Sequence, residues 1–201
     1  VGIDTKKFDL KMSEDVKIKL RESLNIKKDD FVLICVARLD KNKNQGFLIK
    51  CMQKLVKEHD NIHLLLVGRD ELDGYYQKLT KKLNLENNIH FLGNRNDVPQ
   101  LLKISDGVVS ASRREGLPVN IIEAINMGIP VIVLECRGMK DLIDEQVNGF
   151  IINDENQMVY IIFELYKRKF NVNKMKKNNL KKSKLYDVSY IIRIMKKIYW
   201  L

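Results

Sequence analysis

The sequence predicts an α/β fold, a doubly wound parallel sheet of six strands flanked by helices. Three observations predict it. Six short runs rich in Val, Ile, Leu and Phe alternate with segments of helical periodicity, the spacing of βαβ units. The first run is apolar throughout rather than alternating, as in a strand buried on both faces. Charged residues and glycines cluster just after the strands (Arg38, Gly68, Gly93-Asn94-Arg95, Glu115), on the edge where ligands of such sheets bind.

The elements follow in order. Residues 13–24 read as a helix with Ser13 as its N-cap. Residues 31–36, Phe-Val-Leu-Ile-Cys-Val, form the first strand, and 44–58 an amphipathic helix. Residues 62–67 are the second strand, ended by Gly68, and 72–83 the next helix. Residues 89–92 are the third strand, ended by Gly93; Asp97 then caps a short helix to Lys103 with Pro99 in its first turn. Residues 107–110 are the fourth strand. Gly116 and Pro118 start a helix that Met127-Gly128 stops, which puts Glu123 about two turns inside it. The fifth strand covers 130–134, a short helix 139–143, the sixth strand 149–152 and a helix 156–167. Two more helices fill the remainder, the last over 188–201.

At 201 residues the chain is long enough for a well-buried core. No apolar run approaches the ~20 residues of a membrane span, and no signal-peptide pattern opens the chain. Cys35, Cys51 and Cys136 are odd in number and widely spaced, which fits free thiols in a reducing compartment. His59, His63 and His90 lack metal-ligand spacing, and no Asp-x-Asp occurs, so no metal site is expected. His63 and His90 fall in strands and read as packed or hydrogen-bonded structural residues. The formal charge of +10 is uneven: residues 167–201 hold twelve Lys/Arg against one acid, Asp187, and the body is nearly neutral. A solvated helical face explains such a tail, and attraction to anionic lipid is the other reading. Nucleic acid is disfavoured because no recognised binding module accompanies the charge. A dehydrogenase is disfavoured because no Gly-x-Gly-x-x-Gly follows the first strand.

The most informative stretch runs from Ser112 to Val131, with Glu115-Gly116-Leu117-Pro118 leading to Glu123-Ala124-Ile125-Asn126-Met127-Gly128-Ile129-Pro130. Two carboxylates eight positions apart flank the start of a helix, where free N–H groups and the dipole favour an anion. A ligand with both phosphates and hydroxyls suits that arrangement. The string closely resembles the signature of the family-4-type retaining glycosyltransferases of the GT-B fold. Val36-Ala37-Arg38-Leu39-Asp40-Lys41-Asn42-Lys43 resembles their Arg-Leu-x-x-x-Lys segment, with Ala37 where the family usually has Gly. Val1-Gly2-Ile3-Asp4 to Phe8 resembles their interdomain linker. The chain therefore looks like the Rossmann-like, C-terminal half of a longer enzyme, with 1–12 as linker, 13–170 as donor-binding domain and 171–201 as a basic tail.

The resemblance implies roles. Arg38 and Lys43 would neutralise the donor diphosphate, and Glu115 would approach the sugar hydroxyls near the anomeric carbon. Glu123 would accept hydrogen bonds from the ribose. The amides around Gly116, of Leu117, Val119 and Asn120, would meet sugar and diphosphate; Pro118 offers none. Gly68 would line the site, and Gly93-Asn94-Arg95 the base, with Arg95 available to stack. Arg137-Gly138 and Asp141-Leu142-Ile143 resemble a segment of polysaccharide-synthesis members, with a structural role at least as fitting as ligand contact. The implied reaction is metal-independent, cofactor-free hexose transfer from a nucleoside diphosphate sugar, a UDP-sugar favoured, to a glycan or lipid-linked acceptor. The expected setting is the cytoplasm or the inner face of the membrane, with the isolated half inactive or weakly active. The alternatives are a GT-B nucleotide-sugar epimerase and a non-catalytic docking or membrane-association subunit.

Overall fold

The computed structural model describes residues 2–199. Six strands, β1 (Phe31–Val36), β2 (Ile62–Val67), β3 (Ile89–Gly93), β4 (Gly107–Ser110), β5 (Val131–Leu134) and β6 (Gly149–Ile152), form one parallel sheet in the order β3-β2-β1-β4-β5-β6. The order reverses between β1 and β4, the switch point at which the carboxyl ends of the strands open a crevice. The register runs from Phe31↔Ile62 to Val36↔Val67 and pairs Leu33 with Gly107.

Alternate residues of each strand feed two cores. Leu33 and Cys35 join one apolar cluster with Leu48, Met52 and Leu55 of α2 (Gln45–Val56) and Met158, Ile162 and Leu165 of a late helix. Val32 and Ile34 join the other, with Ile121, Ile122 and Ile125. All three cysteines are buried, and burial pushes the Cys35 and Cys51 thiols up to about 12. At that value neither forms appreciable thiolate at neutral pH.

The remaining helices differ from expectation mainly at their starts. α1 (Glu14–Glu22) takes Ser13 as N-cap, its hydroxyl accepting from the Val16 N–H. α3 begins at Tyr75 (Tyr75–Lys82), three residues late. The Asp70 carboxylate binds the N–H groups of Leu72 and Gly74 at 2.8 Å each, and Asp73 and Gly74 are left-handed, so 70–74 form a turn instead. α4 spans Val98–Lys103, α5 Val119–Asn126 and α6 Arg137–Lys140, the last two residues early. Pro130 precedes β5 because it has no N–H for the ladder, though its carbonyl still accepts from Val108. α7 (Glu155–Tyr166), α8 (Val172–Ser183) and α9 (Val188–Tyr199) complete the chain. α8 is tied to the body by Asn179, fully buried, which donates to the carbonyls of Ile129 and Asn148. α9 buries no side chain. Trp200 and Leu201, the end of the expected last helix, lie outside the described residues, as does Val1.

Candidate functional site

The site forms where three loops meet at the carboxyl edge of β1, β2 and β4. Leu39 and Glu71 bind the β1–α2 and β2–α3 loops together: Leu39 N–H donates to Arg69 and Glu71 N–H to Leu39. Gly68 belongs to the same seam. Its φ is +148°, and a Cβ there would stand 2.1 Å from the Ala37 carbonyl oxygen, so the close approach of the two strand ends accounts for the glycine.

The β1–α2 loop is also stitched to the β4–α5 loop. Asn42 accepts from Arg113 N–H and donates through Nδ2 to the Arg114 carbonyl at 3.0 Å, and Asn44 Nδ2 donates to the Ala111 carbonyl. Asn44 is left-handed, φ 57°, a conformation that asparagine tolerates. Between these stitches Lys43 Nζ meets Glu115 Oε1 at 2.5 Å, with the two side chains only 19% and 11% exposed. Charge-assisted contacts of that length in a dry setting are the strong ones. The pairing of residues 72 positions apart brings the expected cation and the expected carboxylate to one spot.

Arg38, two residues beyond β1, has its side chain 62% exposed, with Nη2 3.5 Å from Asp40 Oδ2 and Nη1 3.9 Å from Glu71 Oε1. Gln45, buried at the start of α2, donates to the Arg38 carbonyl at 2.7 Å, a contact that no sequence signal marked.

The helix expected after Gly116 starts at Val119, with Pro118 (φ −74°, ψ 102°) as its N-cap. Proline cannot cap with a side chain. Among the described residues the N–H groups of Leu117, Val119 and Asn120 have no hydrogen-bond partner, which leaves the donors an anion would use. The Asn120 side chain is committed elsewhere: its Nδ2 donates to the Val36 carbonyl at 2.8 Å and pins α5 to the end of β1. The later start places Glu123 just over one turn into the helix rather than two. Its carboxylate has no hydrogen bond or ion pair among the described residues, and burial raises its pKa.

Gly138 explains part of the Arg137-Gly138 segment. A Cβ there would lie 2.2 Å from the Gly116 carbonyl and 2.8 Å from that of Glu115, so α6 supports the Glu115-Gly116 loop from behind only because residue 138 has no side chain. Gly116 itself has open space around its Cα.

The loop after β3 departs from expectation. Gly93 is left-handed, φ +62°, and Asn94 and Arg95 are exposed. Arg95, expected to be free to stack, is held by Asp97 through Nε–Oδ1 and Nη2–Oδ2 contacts of 2.7 Å each. Asp97, expected to cap α4, makes no side-chain cap. Two charge-assisted bonds in a fork outweigh one bond to a backbone N–H. His63 and His90 hold each other and Asp30 at the opposite edge of the sheet, with His63 Nδ1 3.1 Å from His90 Nε2 and His63 Nε2 3.1 Å from Asp30. No cluster of three or more His, Cys, Asp or Glu able to hold a metal occurs among the described residues.

Residues 16–182 match the family model described as glycosyl transferases group 1, and the chain belongs to that family. It is 32% identical over 152 residues to the putative glycosyltransferase EpsD of Bacillus subtilis, covering 76% of this chain and 40% of that protein. It is 30% identical over 155 residues to the UDP-Gal:alpha-D-GlcNAc-diphosphoundecaprenol alpha-1,3-galactosyltransferase of Escherichia coli, 75% of this chain and 39% of that one. Among solved structures, Anabaena HepE in complex with UDP superposes with a TM-score of 0.87 at 27% identity, over 100% of this chain and 56% of HepE. The fold is thus the Rossmann-like C-terminal half of a GT-B glycosyltransferase. The chain spans about two fifths of the length of these two curated relatives.

Proposed function

We propose that this chain is the donor-binding half of a retaining glycosyltransferase that moves a hexose from a UDP-sugar to a glycan or lipid-linked acceptor in polysaccharide biosynthesis, without a metal ion. The carrying observation is the Lys43–Glu115 pair set against the unpartnered N–H groups that open α5. Departure of the nucleotide places negative charge on the β-phosphate. On this reading Arg38, Lys43 and the α5 N-terminus would face that charge as it develops, and fixed donors there lower the barrier most. Glu115 is the acid paired with Lys43 and would be the one suited to the sugar hydroxyls near the anomeric carbon. Glu123 would take the ribose hydroxyls, since an ionised carboxylate accepts hydrogen bonds at both oxygens. The UDP and UDP-glucose carried by HepE support uracil as the base. The diphosphoundecaprenol in the name of the E. coli relative supports a lipid-linked acceptor.

Acceptor contacts would come from a preceding domain, and the chain alone would turn over slowly or not at all. The basic residues of 167–199 would attract the anionic inner face of the membrane. No helix among the described residues is long and apolar enough to cross it.

The test is calorimetric titration of the chain with UDP, GDP and ADP in EDTA, repeated with Glu123→Ala. UDP binding without metal, weakened about tenfold or more by the substitution, is the expected outcome for loss of a hydrogen bond to a charged group. Binding of none of the three would overturn the donor-site assignment. Product from the full-length enzyme with an inverted anomeric centre would overturn retention.

A further inference from the structure

The site does not present its cations free. Lys43 rests on Glu115 at 2.5 Å, and Arg38 lies between Asp40 and Glu71. Glu71 is placed there by the backbone seam at Leu39 and is aimed by Arg69, whose Nη2 and Nε reach its Oε1 at 2.5 and 2.7 Å. Asp40 is committed to its own loop, its Oδ1 accepting the Lys43 N–H at 2.7 Å. We propose that donor binding is an exchange of anions: the diphosphate takes Arg38 from Glu71 and Lys43 from Glu115, so that Glu115 is released toward the sugar only when a diphosphate has replaced it. On this basis Glu71 sets donor affinity by competing for Arg38. The inference rests on the donor-site reading above and assigns a role to a residue outside the family signature.

The contacts are graded as exchange requires. The two Arg38 contacts are long and exposed, so each holds the guanidinium weakly. A diphosphate offers the same fork two oxygens in bidentate geometry and displaces them readily. The Lys43–Glu115 contact is short and mostly buried. It would open only for a ligand that gives both groups a new partner, phosphate for the ammonium and sugar hydroxyls as hydrogen-bond donors for the carboxylate. A nucleotide without a sugar leaves the carboxylate unpaired, and burial makes that costly. The exchange therefore selects for a complete donor over the bare diphosphate.

A double-mutant cycle tests it on the chain as it stands. Titration with UDP at fixed ionic strength is made for the wild type, Glu71→Gln, Arg38→Ala and the double variant. Glu71→Gln is expected to tighten UDP about two- to fivefold, the scale of an exposed ion pair, and that gain is expected to vanish in the Arg38→Ala background. A gain that persists without Arg38 would come from the general field or from a freed Arg69 and would overturn the exchange. Unchanged or weaker binding by Glu71→Gln, with UDP bound by the wild type, would overturn it while leaving the donor site standing. Failure of both the wild type and Glu71→Gln to bind UDP would overturn the donor-site reading and the exchange together.

Discussion

Glu123 is a carboxylate whose burial is uncompensated by any partner among the described residues. Burial raises its pKa, and no partner among the described residues lowers it again. A folded-state pKa above the unfolded value means that the ionised form is penalised. The penalty is therefore present above the folded value and absent below the unfolded one. Glu123→Gln should stabilise the chain, measured without nucleotide at pH 7, by about 0.5 kcal/mol, discounted for a group not fully buried, while weakening nucleotide binding. A Tm rise together with a larger Kd marks a residue kept for a ligand; a Tm fall together with a larger Kd marks a structural one. Lys43 and Glu115 were legible as a cation and an acid after the first and fourth strands, but nothing in the sequence says that they touch. Arg95 and Asp97 carry the opposite lesson. Two positions apart in one loop, they satisfy each other before either reaches a base or a helix end.

Strands were legible almost residue by residue because continuous apolar β-branched runs are specific to buried parallel strands. Helix starts were less so, since a start is decided by which side chain reaches which N–H. Asp70 converts what periodicity reads as the first turn of α3 into a separate turn, and Pro118 defers α5 to Val119. The pairing of β2 with β3 places His63 beside His90, two positions apart in register on one face. The contacts fit a relay in which His90 donates to His63 and His63 to Asp30, with both rings neutral. Lys27 N–H also donates to that Asp30 oxygen, and Asp60 and Glu86 line the same cavity. Burial lowers both histidines, His90 to about 4, with the His63 charge adding to its shift. The unfolded chain, at about 6.5, therefore binds protons that the folded chain refuses. Stability is full above pH 6.5 and falls as pH drops toward 4. Thermal melts between pH 7 and pH 4 should show a falling Tm, with a shallower slope in His90→Phe; equal slopes would remove the pair from the account.

At the scale of the whole molecule, the two cores fasten every helix except the last. α9 exposes Ile192, Met195, Ile198 and Tyr199 on one side and presents Arg193, Lys196 and Lys197 on the other. Among the described residues its root is tied in through the Ile3–Asp187 bridge, and the hydrogen bonds of the Ser189 and Thr5 hydroxyls to Asp187 hold that carboxyl down at about 2. Removal of residues 190–201 should therefore leave cooperative unfolding in place, change stability by less than about 1 kcal/mol and preserve nucleotide binding. A molten product would show that α9 supports the cores. The sequence by itself determined the class of fold, the six strands, the family and the residue types of the site, because those depend on local periodicity and on a contiguous string of about twenty residues. Tertiary structure alone decided that α8 is built into the body through Asn179, that Gly68 and Gly138 are required by backbone approach, and that Lys43 closes on Glu115. Each of these depends on chain segments distant in sequence being brought within a few ångströms, and no local pattern records a distance.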